Sequence, residues 1–279
     1  MVPEDRPADA RPADPDLTVA GGGTPPHGTP GVDLVAAAVF NNAVWCDAVC
    51  QALGCDTDFV DDLWINSGTS PPFYPNAITL APHDPDAQLR RIRLIADRGL
   101  PPGWSVKDAF ATLDLSGLGY RVLFEAEWLG LPAGRAPAAL DVPGVRWEPV
   151  TSGSRLDAWE DAWRNGPDDA SVTTHRDRIF VPALLADPDI VFFAADRDGQ
   201  VVGVVVGNRS DDGSGPVVGI SNLVLPAEDG ERLRAGAVAA VRSAFPDLPM
   251  VCYERGADLR AMASLGFDPL GPLRVWGTS

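Results

Sequence analysis

The stretch from Val217 to Trp276 constrains this chain more than any other. It opens Val-Val-Gly-Ile-Ser-Asn-Leu-Val-Leu-Pro, too short for a globular helix and too rich in β-branched residues for a loop. It therefore reads as a buried strand that Pro226 stops. An acidic loop follows, and Leu233, Ala237, Ala240, Val241 and Ala244 then fall on one face of a helix over 231–244. Leu248 to Glu254 reads as a second strand, the next residues as a short helix closing on Leu265-Gly266-Phe267, and Gly271 to Trp276 as a final strand. Strand, loop, helix, strand, helix, strand is an α/β unit. A ligand in such a unit sits where the first loop meets the helix N-terminus.

Upstream, Val145–Val150 opens as a strand, Ser154 is the expected cap of a helix through about Arg164, and 176–187 reads as a second short helix. Trp159 and Trp163 lie at helical spacing, which favours core packing for both. Ile190–Ala195 and Gln200–Asn208 form a hairpin about Asp198-Gly199. Gly130 to Pro143 is rich in Ala, Pro and Gly and makes a linker.

The first half contains a weaker version of the same order. Residues 1–31 are rich in Pro, Ala, Asp and Gly, and cannot bury enough surface to offset their ordering entropy, so disorder is expected there. Leu34, Ala37, Ala38, Val44, Trp45, Val49 and Leu53 mark a helix over 32–54. Thr57 to Pro75, with Trp64, Phe73 and Tyr74, reads as irregular, its aromatics either lining a ligand pocket or, the commoner use, pinning a loop onto the core. Ala77–Leu80 is a short strand, and Asp84–Arg98 a helix with Asp84 as N-cap and Gly99 at its C-terminal cap. A short helical run over Ala109–Leu113 and a strand from Val122 to Trp128 follow. Asn76-Ala-Ile-Thr-Leu-Ala-Pro matches Asn222-Leu-Val-Leu-Pro, Leu100-Pro101 matches Leu248-Pro249, and Leu118-Gly119-Tyr120 matches Leu265-Gly266-Phe267, all at a nearly constant offset. That is an internal repeat, whose first copy lacks a clear hairpin before Ala77.

Composition excludes several functions. A net charge of −17 opposes nucleic-acid binding, which needs clustered Lys and Arg, and Lys107 is the only lysine. With no basic-then-apolar leader and no apolar run near ~18–20 residues, a cytoplasmic protein without a membrane span is expected. Cys46, Cys50, Cys55 and Cys252 do not follow a common zinc spacing and read as buried thiols, so no metal is expected. His-Glu-x-x-His, Gly-x-Ser-x-Gly and Walker motifs are absent. The oligomeric state is not legible.

The Leu223-Val224-Leu225-Pro226 end of the first strand and Leu265-Gly266-Phe267, in this element order, resemble the acyl-CoA-binding half of the GNAT superfamily of N-acyltransferases. The resemblance implies an α/β (α+β) fold of two GNAT-like repeats, each a mixed, mostly antiparallel sheet flanked by helices. The first would be a degenerate half-domain over 32–130, followed by a linker over 131–143 and an acyltransferase domain over 144–279. It further implies acetyl-CoA or another acyl-CoA as co-substrate and a small-molecule or peptide amine as acceptor. Leu223, Val224 and Leu225 would run along the pantetheine arm. The family's Arg/Gln-x-x-Gly-x-Gly/Ala loop has two registers here. One puts Asp229, Arg232 and Arg234 on its positions; the other uses Arg232, Ala235, Gly236 and Ala237, and is preferred because it retains the Arg and small residues. The family's Tyr acid would fall near Met262, which cannot donate a proton. Glu254 and Tyr253 are then the candidate catalytic groups, and strand alternation predicts that only one of them faces the cleft. Both departures also admit a non-catalytic GNAT-like protein, acting as a ligand-binding or structural module.

Overall fold

The computed structural model describes residues 33–97, 99, 103–135, 142–166 and 178–278. The expected tail over 1–31 and residues 136–141 of the linker lie outside the described residues. The first half comprises α1 (Leu34–Ala52), β1 (Thr57–Val60), β2 (Leu63–Asn66), β3 (Ala77–Thr79), α2 (Pro85–Ala96), β4 (Ser105–Asp108) and β5 (Arg121–Leu131). The second comprises β6 (Val145–Pro149), α3 (Gly153–Arg164), β7 (Ile190–Arg197), β8 (Gln200–Asp211), β9 (Pro216–Val224), α4 (Gly230–Ala244), β10 (Met250–Glu254), α5 (Gly256–Ser264) and β11 (Asp268–Gly277).

All eleven of these strands join one sheet, in the order β1-β2-β3-β4-β11-β5-β10-β9-β8-β7-β6. Every pairing is antiparallel except β3 with β4 and β9 with β10. Each half thus runs from an antiparallel hairpin through a strand, a helix, a parallel strand and a last strand. The last strands are exchanged: β5 pairs with β10 of the second half, and β11 pairs with β4 of the first. They also pair with each other, which seals the halves into a continuous sheet.

Alternation along the central strands feeds two cores. Phe192, Val204, Val206, Val217 and Val251 pack under α1 and α3, with Ala37, Val39, Trp45 and Trp159. Their neighbours Phe193, Val205, Val218, Met250 and Cys252 pack under α4 and α5, with Ala237, Val241 and Met262. A smaller core under α2 gathers Leu63, Ile92, Trp104, Val106 and Trp276. α1 is apolar nearly all round, as a helix buried in a core should be. Its Asn41 donates through Nδ2 to the Asn208 carbonyl at 2.9 Å and to Ser210 Oγ at 2.9 Å, tying the first half to β8.

Four sequence expectations change. Thr57–Pro75 is not irregular at its start: β1 and β2 form a hairpin about Asp61-Asp62, with Asp61 at φ +53°. β1 is an edge strand with exposed side chains, so it carries no alternating signal. The first repeat therefore does have a hairpin before Ala77. Ala109–Leu113 is a turn rather than a helix, because the buried Asp108 carboxylate takes the N–H groups of Thr112 (3.0 Å) and Leu113 (2.9 Å). Ser152, not Ser154, caps α3, its Oγ accepting from the Arg155 N–H at 3.4 Å. The helix expected over 176–187 is a single 3-10 turn, Pro182–Ala186, and 176–177 lie outside the described residues.

Candidate functional site

The site originates in a defect of the sheet. β9 and β10 are paired only at Val218 with Met250 and Gly219 with Val251, and beyond those residues they separate. On the other side of β9 the register with β8 slips between Val204 and Val206, and Asn222 adopts φ +53°. This is a β-bulge, which bends a strand and re-aims its residues. Trp45 of α1 fixes it, donating from Nε1 to Asn222 Oδ1 at 3.0 Å.

The separation leaves two adjoining hollows. A cavity of about 510 Å³ lies among Leu223, Val224, Leu225 and Pro226, the first turn of α4 and Asp258 of α5. Trp163 and Phe73 close it from the α3 side, stacked edge to face at 5.5 Å. A smaller cavity of about 240 Å³ continues between the strands toward α1, bordered by Asn42, Tyr74, Lys107, Asn222, Tyr253 and Glu254. Phe73 and Leu223 border both.

α4 enters the larger cavity with its N-terminus uncapped by any side chain. Its N-cap Asp229 sits at φ +62° and gives its carboxylate to Arg197 at 2.8 Å instead. The first intrahelical bond of this turn runs from the Leu233 N–H to the Asp229 carbonyl at 2.9 Å. The N–H groups of Gly230 and Glu231 precede it, and a helix offers its first N–H groups no partner of its own. Small residues in the second turn serve packing. Ala235 and Ala237 are buried, and a Cβ on Gly236 would come within 2.5 Å of the Trp147 indole. None of the three borders the larger cavity, and Arg232 is exposed; Arg234 does border it, paired to Asp258. The Ala-Gly-Ala run packs against Trp147 and the sheet rather than lining that cavity.

Tyr253 and Glu254 both border the smaller cavity. Alternation still holds, with Tyr253 packed on the α1 side and Glu254 facing Arg234 and Asp258. The gap, however, opens in the plane of the sheet, so side chains from both faces rim it. Burial, with a smaller push from Asp258 and opposed by Arg234, raises the Glu254 carboxyl from 4.5 to about 7. Tyr253 stacks edge to face on Trp128 at 5.3 Å, and Lys107 Nζ lies 4.4 Å from its ring centroid.

Trp159 is core, its Nε1 donating to the Phe193 carbonyl at 2.9 Å, whereas Trp163 is a cavity wall. Tyr74 is buried but Phe73 is exposed, so only one of that pair pins its loop. Met262 is buried under α5. Cys46, Cys50 and Cys252 are buried and Cys55 is partly exposed; burial pushes the Cys46 thiol up to about 11. Lys107 and Asn42 were not legible as site residues, whereas Tyr74 and Phe73 border the cavity that the sequence allowed them to line. The one available signal was a lone lysine followed by Asp108 in a short stretch between Trp104 and Ala109-Phe110.

No protein-family model matches the sequence, and no curated protein matches it. Solved structures do share its fold. A GCN5-related N-acetyltransferase from Kribbella flavida superposes with a TM-score of 0.59 at 17% identity, over 89% of this chain and 96% of its own. A functionally unknown conserved protein from Staphylococcus epidermidis gives 0.58 at 15% identity, over 80% and 94%. A GNAT-family protein from Novosphingobium aromaticivorans gives 0.50 at 13%, over 86% and 99%. The chain therefore has the fold of the GCN5-related N-acetyltransferases, as two repeats sharing one sheet.

Proposed function

We propose that this chain is a cytoplasmic acyl-CoA-dependent N-acyltransferase that transfers an acetyl or similar group to the amine of a small molecule or peptide. One observation carries the reading. The gap between β9 and β10 opens at one end on the uncapped N-terminus of α4 and holds Glu254 and Tyr253 on its rim. The N–H groups of the first turn favour a diphosphate there, and the space in the Cβ direction of Gly230 is open. Leu223, Val224 and Leu225 would run along the pantetheine arm.

The bound thioester supplies an acyl carbon, whose bond to sulfur breaks as a bond to the amine nitrogen forms. Glu254 takes the proton that frees the lone pair of the ammonium. With its carboxyl near 7, it is both available as a base and strong enough to act at neutral pH. Tyr253 passes its hydroxyl proton to the departing sulfur and recovers one from the nitrogen as the amide forms, so the product is neutral on both sides.

Calorimetric titration of the whole chain with acetyl-CoA tests the reading. Saturable binding is expected, with a gain of about 2.7 kcal/mol in stability at a hundredfold excess over Kd. Neither heat nor stabilisation with acetyl-, succinyl- or longer acyl-CoA rejects it. What would then remain is a non-catalytic protein of the same fold that binds another ligand or serves a structural role. The acidic side chains of Glu228, Asp229 and Glu231 around the start of α4 favour that second reading, because they repel phosphate.

A further inference from the structure

Lys107 is the only lysine in a chain of net charge −17, and it is placed where lysines are rarest. Its residue is 4% exposed on β4, and its side chain crosses toward the second half. Nζ donates to Asn42 Oδ1 at 2.6 Å and reaches the Tyr253 hydroxyl at 3.4 Å. Both partners are neutral. Among the described residues no carboxylate lies within ion-pair distance of Nζ. Buried charges are normally paired, so an ammonium held by an amide and an aromatic face is an electrostatic site awaiting its counter-charge. An ammonium has three N–H donors, and two are accounted for.

A second donor converges on the same space. The Tyr74 hydroxyl is buried beside the Asn222 side chain but makes no hydrogen bond of full geometry, and burial keeps it protonated. Tyr74 and Lys107 both border the cavity of about 240 Å³, whose lining also includes Glu254, on the other face of β10 from Tyr253. This small space therefore brings together a cation and a phenol O–H, both donors, with a carboxyl that accepts a proton.

We propose that the acceptor binds in this cavity through a carboxylate held by Lys107 Nζ and the Tyr74 hydroxyl, with its amine toward Glu254. The substrate class is a small molecule bearing both groups: an amino acid. This assignment rests on the transferase reading for what happens to the amine, but not for the recognition of the carboxylate. A cavity of this volume holds the amino and carboxylate groups of an amino acid, and Tyr74, Lys107 and Tyr253 also border a neighbouring hollow of about 740 Å³ that leaves room for its side chain. Because the chain repels anions at long range, the buried lysine supplies a local attraction that the surface does not.

The test uses the whole chain and begins with the unaltered protein. Incorporating lysine labelled with 15N at Nζ gives a single side-chain signal, since Lys107 has no competitor. Glycine, alanine, serine, aspartate, glutamine, ornithine and phenylalanine are titrated against their counterparts lacking the carboxylate, such as ethylamine, ethanolamine and phenethylamine. At least one amino acid should move the signal and bind about thirtyfold or more tightly than its decarboxylated counterpart, the ratio expected for a buried charge pair. Lys107→Met should abolish that preference by calorimetry, and Tyr74→Phe should reduce it by about three- to tenfold. Equal binding of amines and amino acids, or no binding by any amino acid tested, overturns the proposal, as does a preference that survives in Lys107→Met. A parallel titration with acetyl-CoA separates the two readings. Carboxylate preference without acetyl-CoA binding upholds this site and removes the transferase; acetyl-CoA binding without the preference does the reverse.

Discussion

Replacing Glu254 with Gln removes one ionisable group from the rim of the gap while nearly preserving its volume. The consequence can be worked out without knowing any substrate. In the fold the Glu254 carboxyl titrates near 7 rather than at its ordinary 4.5, chiefly through burial. Folding therefore favours the protonated form. Below pH 4.5 the group is protonated in both states and its contribution to stability is fully present. Between 4.5 and 7 the unfolded chain has lost the proton that the folded chain retains, so stability falls by about 1.4 kcal/mol per pH unit. Above 7 both states are ionised and the loss levels off, for a total of about 3 kcal/mol. The amide of the variant does not titrate, so it has no such dependence.

The expected result is a difference curve. Urea unfolding of wild type and Glu254→Gln at half-unit steps from pH 4.5 to 8.5 should show the variant gaining about 3 kcal/mol relative to wild type as pH rises. With a typical urea slope of about 2 kcal/mol per molar, the unfolding midpoints should move apart by about 1.5 M. Using the pH dependence of the difference, rather than its absolute value, cancels whatever the new amide gains or loses in hydrogen bonds. A difference curve flat to within about 0.5 kcal/mol would refute the reasoning, since Glu254 would then titrate as an ordinary carboxylate. Under the proposed chemistry the same variant should lose about 10²- to 10⁴-fold in acyl transfer, trading activity for stability.

Three other contacts can be probed by unfolding alone. In Gly219→Ala the new Cβ would stand 1.9 Å from Asn41 Oδ1 and 2.7 Å from Asn208 Oδ1, so the buried amides that join α1 to β8 must move; a loss of about 2–5 kcal/mol in urea unfolding is expected. Glu160 is buried and accepts from the N–H groups of Ile179 (2.9 Å) and Phe180 (3.2 Å) as well as from Arg164, so Glu160→Ala should cost about 3–5 kcal/mol in the same assay. Trp128→Phe removes the Nε1–H that reaches the Ala109 carbonyl at 2.7 Å and leaves a buried acceptor unpaired, for about 1–3 kcal/mol in thermal unfolding.

What the sequence made legible is what a single element expresses along its own length. The α4 face of Leu233, Ala237 and Val241, the Asp198-Gly199 turn and the Asp84 cap are all local patterns, and all are in the structure. Readings were harder where a residue had two reasons to be what it is. Small residues at 235–237 suit a phosphate loop, but they also suit a helix pressed against Trp147 and the sheet, and packing accounts for them. A Trp at helical spacing suits a core, and Trp163 does pack on the core through Phe180, but one turn beyond Trp159 it also borders the cavity. The hairpin at 57–66 was hidden because exposed edge strands have no need to alternate.

The least legible residue, Lys107, shows why the two halves belong to one sheet. In sequence it lies 146 residues from Tyr253 and inside the copy that looks degenerate. Strand exchange brings it near. β11 lies between β4 and β5, and β5 lies against β10, so the wall of the gap beside Tyr253 is built from Trp128 of the first half. Lys107 then approaches Tyr253 from β4, and Asn42, Trp45 and Tyr74 close the space from the same half. The second half carries Glu254, the bulge and the uncapped helix, but by itself it would leave the edge of β10 without β5 and the cavity without its cation. A first repeat with an eroded motif is therefore under a different constraint from a spare copy. Its side chains Asn42, Tyr74 and Lys107 face the other half's gap rather than one of their own.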